Sequence, residues 1–206
     1  MMPVVSYERC GKRLVDLILS VCGYLCAAPL LIVIAVCIKL DSPGSVMFMQ
    51  TRIGRYGEPF RLMKFRSMYR DPAREQRGFT PGETTRITRV GRMLRATKLD
   101  ELPQILNVIK GEMSLVGPRP EVPRYRGVYE GAFKAVLSLR PGITDWASIK
   151  YRNEEELLGA TDDPDETYEQ AILPDKLGLA LEYKARIGLG TDIEIICQTL
   201  ARVIRG

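Results

Sequence analysis

Between Asp16 and Lys39 about 22 consecutive residues carry no charge. A helix of that length can cross a hydrocarbon core of roughly 30 Å. Lys12 and Arg13 precede the run, as in a secretory signal. The run is longer than the roughly 7–15 residues of a signal core, however, and Lys39 and Asp41 follow it without a clear cleavage site. A plain transmembrane anchor is the second reading, and two features weigh against it. Pro29 falls in mid-run, where it removes a backbone hydrogen bond and tends to kink a helix. Basic residues also flank both ends: Arg9, Lys12 and Arg13 before, Lys39, Arg52 and Arg55 after. Cationic flanks prefer the cytoplasm, so both ends favour one side. A helix that breaks near Pro29, enters one leaflet and leaves through it satisfies both constraints. The expected division is a membrane-embedded re-entrant helix over residues 1–44 and a cytosolic domain over residues 45–206.

Beyond the turn signal Ser42-Pro43-Gly44, residues 45–50 and 60–66 are β-prone runs on either side of Arg55-Tyr56-Gly57-Glu58-Pro59. This pattern predicts a hairpin. Residues 68–83 are polar and rich in Gly and Pro, and read as a surface loop. Val90, Met93 and Leu94 give residues 88–96 a helical spacing. Residues 100–110 form the next predicted helix, with Leu102, Ile105, Leu106 and Ile109 as its apolar stripe, Pro103 in the first turn and Gly111 as its stop. Val116-Gly117-Pro118-Arg119-Pro120 cannot be regular and reads as a fixed loop. Further helices are predicted over residues 128–137, 177–184 and 192–204; in the last, Ile193, Ile196, Leu200 and Ile204 share a face that suits either a core or a membrane surface. The expected class is α+β and mainly helical: a kinked membrane helix packed with a compact domain that contains a short β-hairpin and amphipathic interfacial helices.

Composition narrows the chemistry. With 206 residues, 46% hydrophobic and 27% charged, the chain can bury a core and is not a polytopic membrane protein. Its net charge of +5 is uneven. Basic residues dominate between Arg52 and Lys98, and acids dominate after Glu154. A basic middle points to phosphates or an anionic membrane surface, with a solvated face as the plainer reading. Its aromatics are not interleaved with the basic stretch, which argues against nucleic acid. The five cysteines form no Cys-x-x-Cys pair and read as apolar fillers in a reducing compartment.

The chain has no histidine, so it lacks the usual neutral-pH acid/base group and the commonest metal ligand. Chemistry must therefore rest on other groups. Asp100 and Glu101 stand side by side in Lys98-Leu99-Asp100-Glu101-Leu102-Pro103-Gln104 and offer a nucleophile and a hard-cation site together. The plainer reading makes Asp100 a helix N-cap and Glu101 a first-turn acid favoured by the helix dipole. Three arginines shift the balance toward a phosphate-bearing substrate. Arg95 lies one turn upstream, Arg119 is held between two prolines, and Arg140 precedes Pro141-Gly142. A fixed guanidinium presents a donor fork suited to phosphate.

Four motifs in order, Lys64-Phe65-Arg66-Ser67-Met68, Leu99-Asp100-Glu101-Leu102-Pro103-Gln104, Gly117-Pro118-Arg119-Pro120 and Arg140-Pro141-Gly142-Ile143-Thr144, closely resemble the bacterial sugar transferase family. These are monotopic polyprenyl-phosphate phosphoglycosyl transferases. The resemblance covers nearly the whole chain, the N-terminal segment with its central proline included, and so points to the minimal form with one catalytic domain. It implies transfer of a sugar 1-phosphate from a UDP-sugar to undecaprenyl phosphate, with UMP as by-product and Mg²⁺ required. The location it implies is the cytoplasmic face of the bacterial inner membrane, at the first membrane step of glycoconjugate assembly. On the same basis Asp100 would be the nucleophile, forming an acyl-phosphate sugar intermediate. Glu101, with Asp100, would hold Mg²⁺. Arg119, assisted by Arg95 and Arg140, would grip phosphate, and Lys64, Gln104, Arg152 and Asp192 would support the site. Association into homo-oligomers is left open.

The chain departs from the family pattern after Ile143-Thr144. Where many members continue with Gly and a Gln-x-Asn-Gly-Arg run, residues 145–153 read Asp-Trp-Ala-Ser-Ile-Lys-Tyr-Arg-Asn. Only Arg152 and Asn153 keep the end of that pattern. Two other readings remain at this stage: direct attack by the lipid phosphate, with Asp100 serving only the metal, and a non-catalytic membrane adaptor that binds anionic lipid through its basic middle.

Overall fold

The computed structural model describes residues 7–69 and 85–205. Most of the predicted loop over residues 68–83 lies outside the described residues. The first helix, α1 (Lys12–Asp41), spans 30 residues and contains Pro29; at 1.5 Å per residue it is about 45 Å long. It is long and apolar enough to cross a membrane. Its mid-section is largely exposed, with Leu25, Ile32 and Val33 all turned outward. Its two ends, by contrast, dock on the rest of the chain. Near the start, Arg13 donates to the carbonyls of Val108 (2.6 Å) and Ile109 (3.0 Å). There too, the buried Asp16 accepts from Ser114 Oγ (2.7 Å) and the Leu115 backbone N–H (3.2 Å). Near the finish, Ile34 and Ile38 pack with Phe65 and Leu94, and Asp41 accepts from the backbone N–H of Val90 at 3.0 Å.

The predicted hairpin is present. Strand β1 (Met47–Ile53) pairs antiparallel with β2 (Pro59–Phe65), Met47 opposite Phe65 and Ile53 opposite Pro59. Phe60 and Leu62 of β2 are buried against Val108 and Met113. Helix α2 (Arg89–Ala96) starts at Thr88, whose side chain accepts from the Gly91 N–H. The helix expected over residues 100–110 is divided. Leu99–Glu101 forms a 3-10 turn entered through Lys98 at φ 58°, and only then does α3 (Gln104–Lys110) begin, ending at Gly111 with φ 87°. The cap of α3 is Pro103, so Asp100 is not its N-cap. A left-handed residue and a proline within six positions prevent one continuous helix.

One pairing was not anticipated: β3 (Ser114–Val116) lies parallel to β4 (Gly142–Thr144). The backbones cross closely just beyond it. A Cβ on Gly117 would lie 2.4 Å from the Arg140 carbonyl oxygen, and one on Gly142 would lie 2.2 Å from the Gly117 nitrogen, so both positions require glycine. Between these strands the α-helix expected over residues 128–137 is replaced by two 3-10 stretches, Pro123–Val128 and Gly131–Ser138. Gly131 at φ 57° breaks any continuous α-helical path.

The C-terminal part is helical: α4 (Trp146–Lys150), α5 (Glu154–Gly159), α6 (Pro164–Thr167), α7 (Leu173–Ala185) and α8 (Leu189–Arg205). The main core joins Ile53, Tyr125, Tyr129, Val136, Tyr168, Leu173 and Leu177. On α8 the side chain fully buried is Ile195, whereas Ile193 and Leu200 of the predicted stripe are exposed. The stripe is therefore divided: Ile193 and Leu200 are exposed, while Ile196 packs against the cluster around Tyr183 and Ile195.

Asn107 binds the hairpin to α3. It accepts from the Met63 N–H at 3.0 Å and donates to the Arg61 carbonyl at 2.8 Å and to Glu112 at 2.7 Å, with no exposed surface. Asn107→Ala should lower unfolding free energy by about 1–3 kcal/mol, because the buried Met63 N–H loses its partner. Thermal melting of the variant beside the parent checks this.

Candidate active site

The acid pair sits where three parts of the fold meet. The Leu99–Glu101 turn supplies Asp100 and Glu101, β2 supplies Lys64, and the loop after β3 supplies Arg119. Glu101 Oε1 accepts from Lys64 Nζ at 2.8 Å and from one terminal nitrogen of Arg119 at 2.6 Å. Its Oε2 accepts from the other terminal nitrogen at 3.3 Å. This is a forked guanidinium–carboxylate pair reinforced by an ammonium. Burial by itself would push the Glu101 carboxyl up, but the two cations and their hydrogen bonds outweigh it and hold the group well below the usual carboxylate range. The same contact raises Arg119 above its ordinary value.

Asp100 is also buried, at 8% exposure. For this group burial prevails. It pushes the carboxyl above the ordinary aspartate value, with the negative charge of Glu101 adding to the rise, while Lys64, Arg95 and Lys98 oppose it. Adjacent acids thus differ in kind: Glu101 is a clamped anion, and Asp100 is a carboxyl whose charged form burial disfavours.

The Arg119 loop is fixed from behind. Its backbone N–H donates to Asp145 Oδ2 at 3.1 Å, and Asp145 Oδ1 accepts from the Ser148 N–H at 2.7 Å, capping α4. Next in the chain, Glu121 is buried and accepts from the Tyr168 hydroxyl at 2.8 Å. Lys176, also buried, donates to that hydroxyl at 3.3 Å and pairs with Glu154. Arg52 reaches the Pro120 carbonyl at 3.1 Å. Arg52, Glu121, Glu154, Tyr168 and Lys176 were not anticipated as part of the site's surroundings, although Glu121 directly follows the Gly-Pro-Arg-Pro motif; Asp145 opens the stretch that departs from the family pattern.

The other expected residues separate into two groups. Arg95, in the last turn of α2, places its charge near Asp100. Gln104 is buried at the start of α3, and its amide nitrogen has no hydrogen-bond partner among the described residues. Arg140 is engaged elsewhere: its Nε donates to the Gly111 carbonyl at 3.0 Å, beside Arg13 and Arg55, and burial followed by those like charges lowers its pKa. Asp192 accepts from Tyr7 (2.7 Å), Lys12 (2.7 Å) and Tyr183 (2.6 Å), so it ties α8 to the start of α1. Arg152 donates to the Arg202 carbonyl on α8, and Pro29 lies inside α1.

Among the described residues no three His, Cys, Asp or Glu side chains gather as a metal cage. Two adjacent carboxylates nevertheless suit magnesium, which is usually held by one or two carboxylates plus substrate phosphates.

The model for bacterial sugar transferases matches residues 7–206. The chain belongs to the bacterial sugar transferase family. Among its relatives is the undecaprenyl-phosphate glucose phosphotransferase of Komagataeibacter xylinus, 40% identical over 98% of this chain and 37% of the relative. The UDP-glucose:undecaprenyl-phosphate glucose-1-phosphate transferase of Caulobacter vibrioides is 37% identical over 94% of this chain and 69% of that protein. The UDP-N-acetylgalactosamine-undecaprenyl-phosphate N-acetylgalactosaminephosphotransferase of Aeromonas hydrophila is 34% identical over 95% of this chain and 44% of that protein. The chain thus spans between about a third and two thirds of the length of these relatives.

Carboxyl titration by carbon-13 NMR should find Asp100 protonating above the ordinary aspartate range and Glu101 still ionised below the ordinary glutamate range. Lys64→Met removes a charge that favours ionised Asp100, so its midpoint should move further up. Because the folded-state value of Glu101 is depressed, the stability it contributes is present above its unfolded-state pKa and is lost only as pH falls through the folded-state value. In Arg119→Gln that loss should begin at higher pH in acid-unfolding curves.

Proposed function

We propose that the chain is a phosphoglycosyl transferase that moves a sugar 1-phosphate from a UDP-sugar to undecaprenyl phosphate. The observation that supports this reading is the buried Asp100 carboxyl beside Glu101, with the positive charges of Lys64 and Arg119 gathered at the same place. The relatives' names agree on the lipid phosphate and differ in the sugar, glucose or N-acetylgalactosamine.

In the proposed reaction an Asp100 carboxylate oxygen attacks the β-phosphorus of the donor. The bond from that phosphorus to the oxygen bridging it to the α-phosphate breaks, and UMP leaves. The sugar phosphate remains on Asp100 as an acyl phosphate. A phosphate oxygen of the lipid then attacks the same phosphorus, giving undecaprenyl diphosphate sugar and restoring the carboxylate. In its carboxylate form Asp100 needs no general base, and the desolvation that raises its carboxyl favours attack. Arg119 and Lys64 offset charge on the phosphates, the main requirement of phosphoryl transfer. Arg95 extends that positive field. When bound by Asp100 and Glu101, magnesium would further neutralise the diphosphate.

We also infer that α1 is re-entrant and that the catalytic domain lies on the cytoplasmic face of the inner membrane. Support comes from the docking of both helix ends on one body: Arg13 and Asp16 near Val108 and Ser114, and Ile38 and Asp41 near Leu94 and Val90. A straight span would carry one end to the opposite membrane surface.

Asp100→Asn should lower turnover by more than about a thousandfold, whereas wild-type protein should release one equivalent of UMP from donor without any lipid. Normal UMP release from the variant removes the nucleophile role, and strict dependence on lipid favours direct attack. In a cysteine-free background, thiol labelling of Ser6→Cys and Ser45→Cys in sealed inverted vesicles should report one side for both. Opposite accessibility restores the simple spanning helix.

A further inference from the structure

A groove of about 370 Å³ opens between α4 and α5, walled by Lys150, Tyr151, Asn153, Glu154, Glu156 and Leu157. Its volume is typical of small-molecule sites. It is linked to the Arg119 loop through α4 and through Glu154. Asp145, which holds the Arg119 backbone, is separated from the groove only by the five residues of α4, about 7.5 Å of helix. Glu154, on the groove wall, is close enough for its charge to act on Arg119.

The walls are held in position by contacts below them. Lys150 Nζ donates to both oxygens of Asp175 (2.8 and 3.0 Å), and the Tyr151 hydroxyl donates to the same carboxylate at 2.8 Å. The buried Lys176 pairs with Glu154 and lies 5.9 Å from the Tyr151 ring centre. At the open side, Asn153 Nδ2 donates to Glu156 at 3.3 Å, and both residues are exposed. The groove therefore offers carboxylates, an amide and an ammonium around an apolar floor. Carboxylates and amides recognise neutral hydroxyls well, whereas Glu154 and Glu156 would repel a phosphate. In a nucleoside diphosphate sugar the neutral group bonded to the β-phosphate is the sugar ring.

We propose that this groove is the subsite for the donor's sugar ring, with Asn153 and Glu156 reading its hydroxyl or N-acetyl groups. The inference rests on the transferase reading above. It places sugar choice at the end of, and just beyond, the stretch where the chain departs from the family's motif pattern, away from the Asp100–Glu101–Arg119 cluster.

The test is UMP release by wild type, Asn153→Ala, Glu156→Gln and the double variant, using UDP-glucose, UDP-galactose and their N-acetyl forms. Both substitutions lie at the surface, so folding should be retained. The double variant should raise KM for the preferred donor by about tenfold and change the order of preference among donors. Inhibition by UDP and the KM for undecaprenyl phosphate should not move. An unchanged donor profile overturns the assignment. Equal weakening of UDP and UDP-sugar binding also overturns it, because the groove would then hold the nucleotide. Wild-type protein that releases no UMP from any of these donors overturns the transferase reading, and the sugar subsite falls with it.

Discussion

The buried carboxylate of Glu101, gripped by Lys64 and Arg119, is the contact on which the site depends. Each partner comes from a different element, so one anion fixes the hairpin, the turn after α2 and the loop after β3 relative to one another. Removing Glu101 would leave both cations without their shared counter-charge, a cost of several kcal/mol in such settings. The clamp also determines what its neighbour can be. With the hydrogen bonds of Lys64 and Arg119 directed to Glu101, Asp100 is, among the described residues, a desolvated carboxyl that feels positive charge without a hydrogen bond to either. That is the condition a carboxylate nucleophile needs.

The rest of the fold supports the clamp from two directions. Behind it, Asp145 holds the Arg119 backbone, and the Glu121–Tyr168–Lys176–Glu154 chain fills the space between that loop and the C-terminal helices. Each of these buried polar groups has a partner, which allows so many charges to sit near a core. On the other side, α1 meets the domain at both ends. Asp192 joins its start to α8 through Lys12 and Tyr7, while Ile34 and Ile38 meet the same cluster that contains Phe65 of the hairpin. The site and the long apolar helix α1 thus share one support, and Ile193 and Leu200 of α8 are exposed.

Much of this was legible in the sequence because the signals were local. The uncharged run, the hairpin around Gly57 and Pro59, the helix ending at Gly111 and the motifs carrying Asp100 and Arg119 all announce themselves through spacing and residue type. The errors also have local causes. Asp100 was a reasonable helix cap by residue type, but a left-handed Lys98 and Pro103 place it in a tight turn instead. The segment from Val128 to Leu137 has helical composition, yet Gly131 diverts it into 3-10 turns. Arg140 sits in a motif that looks phosphate-binding, and in the fold its Nε binds the carbonyl of Gly111, a contact the motif does not announce.

The sequence by itself determined the family, the long apolar N-terminal helix, the absence of histidine chemistry and the identity of the acid pair, because each is written in adjacent residues. Only the tertiary structure decided which cations meet which carboxylate. It paired Glu101 with residues 37 positions before it and 18 after it, brought β3 beside β4, and placed Lys176 beneath Glu154. Such contacts join residues distant in the chain, and their geometry follows from packing and close backbone crossings such as Gly117 over Gly142. Local pattern carries no record of those, so it could name the acids but could not distinguish the clamped one from the desolvated one.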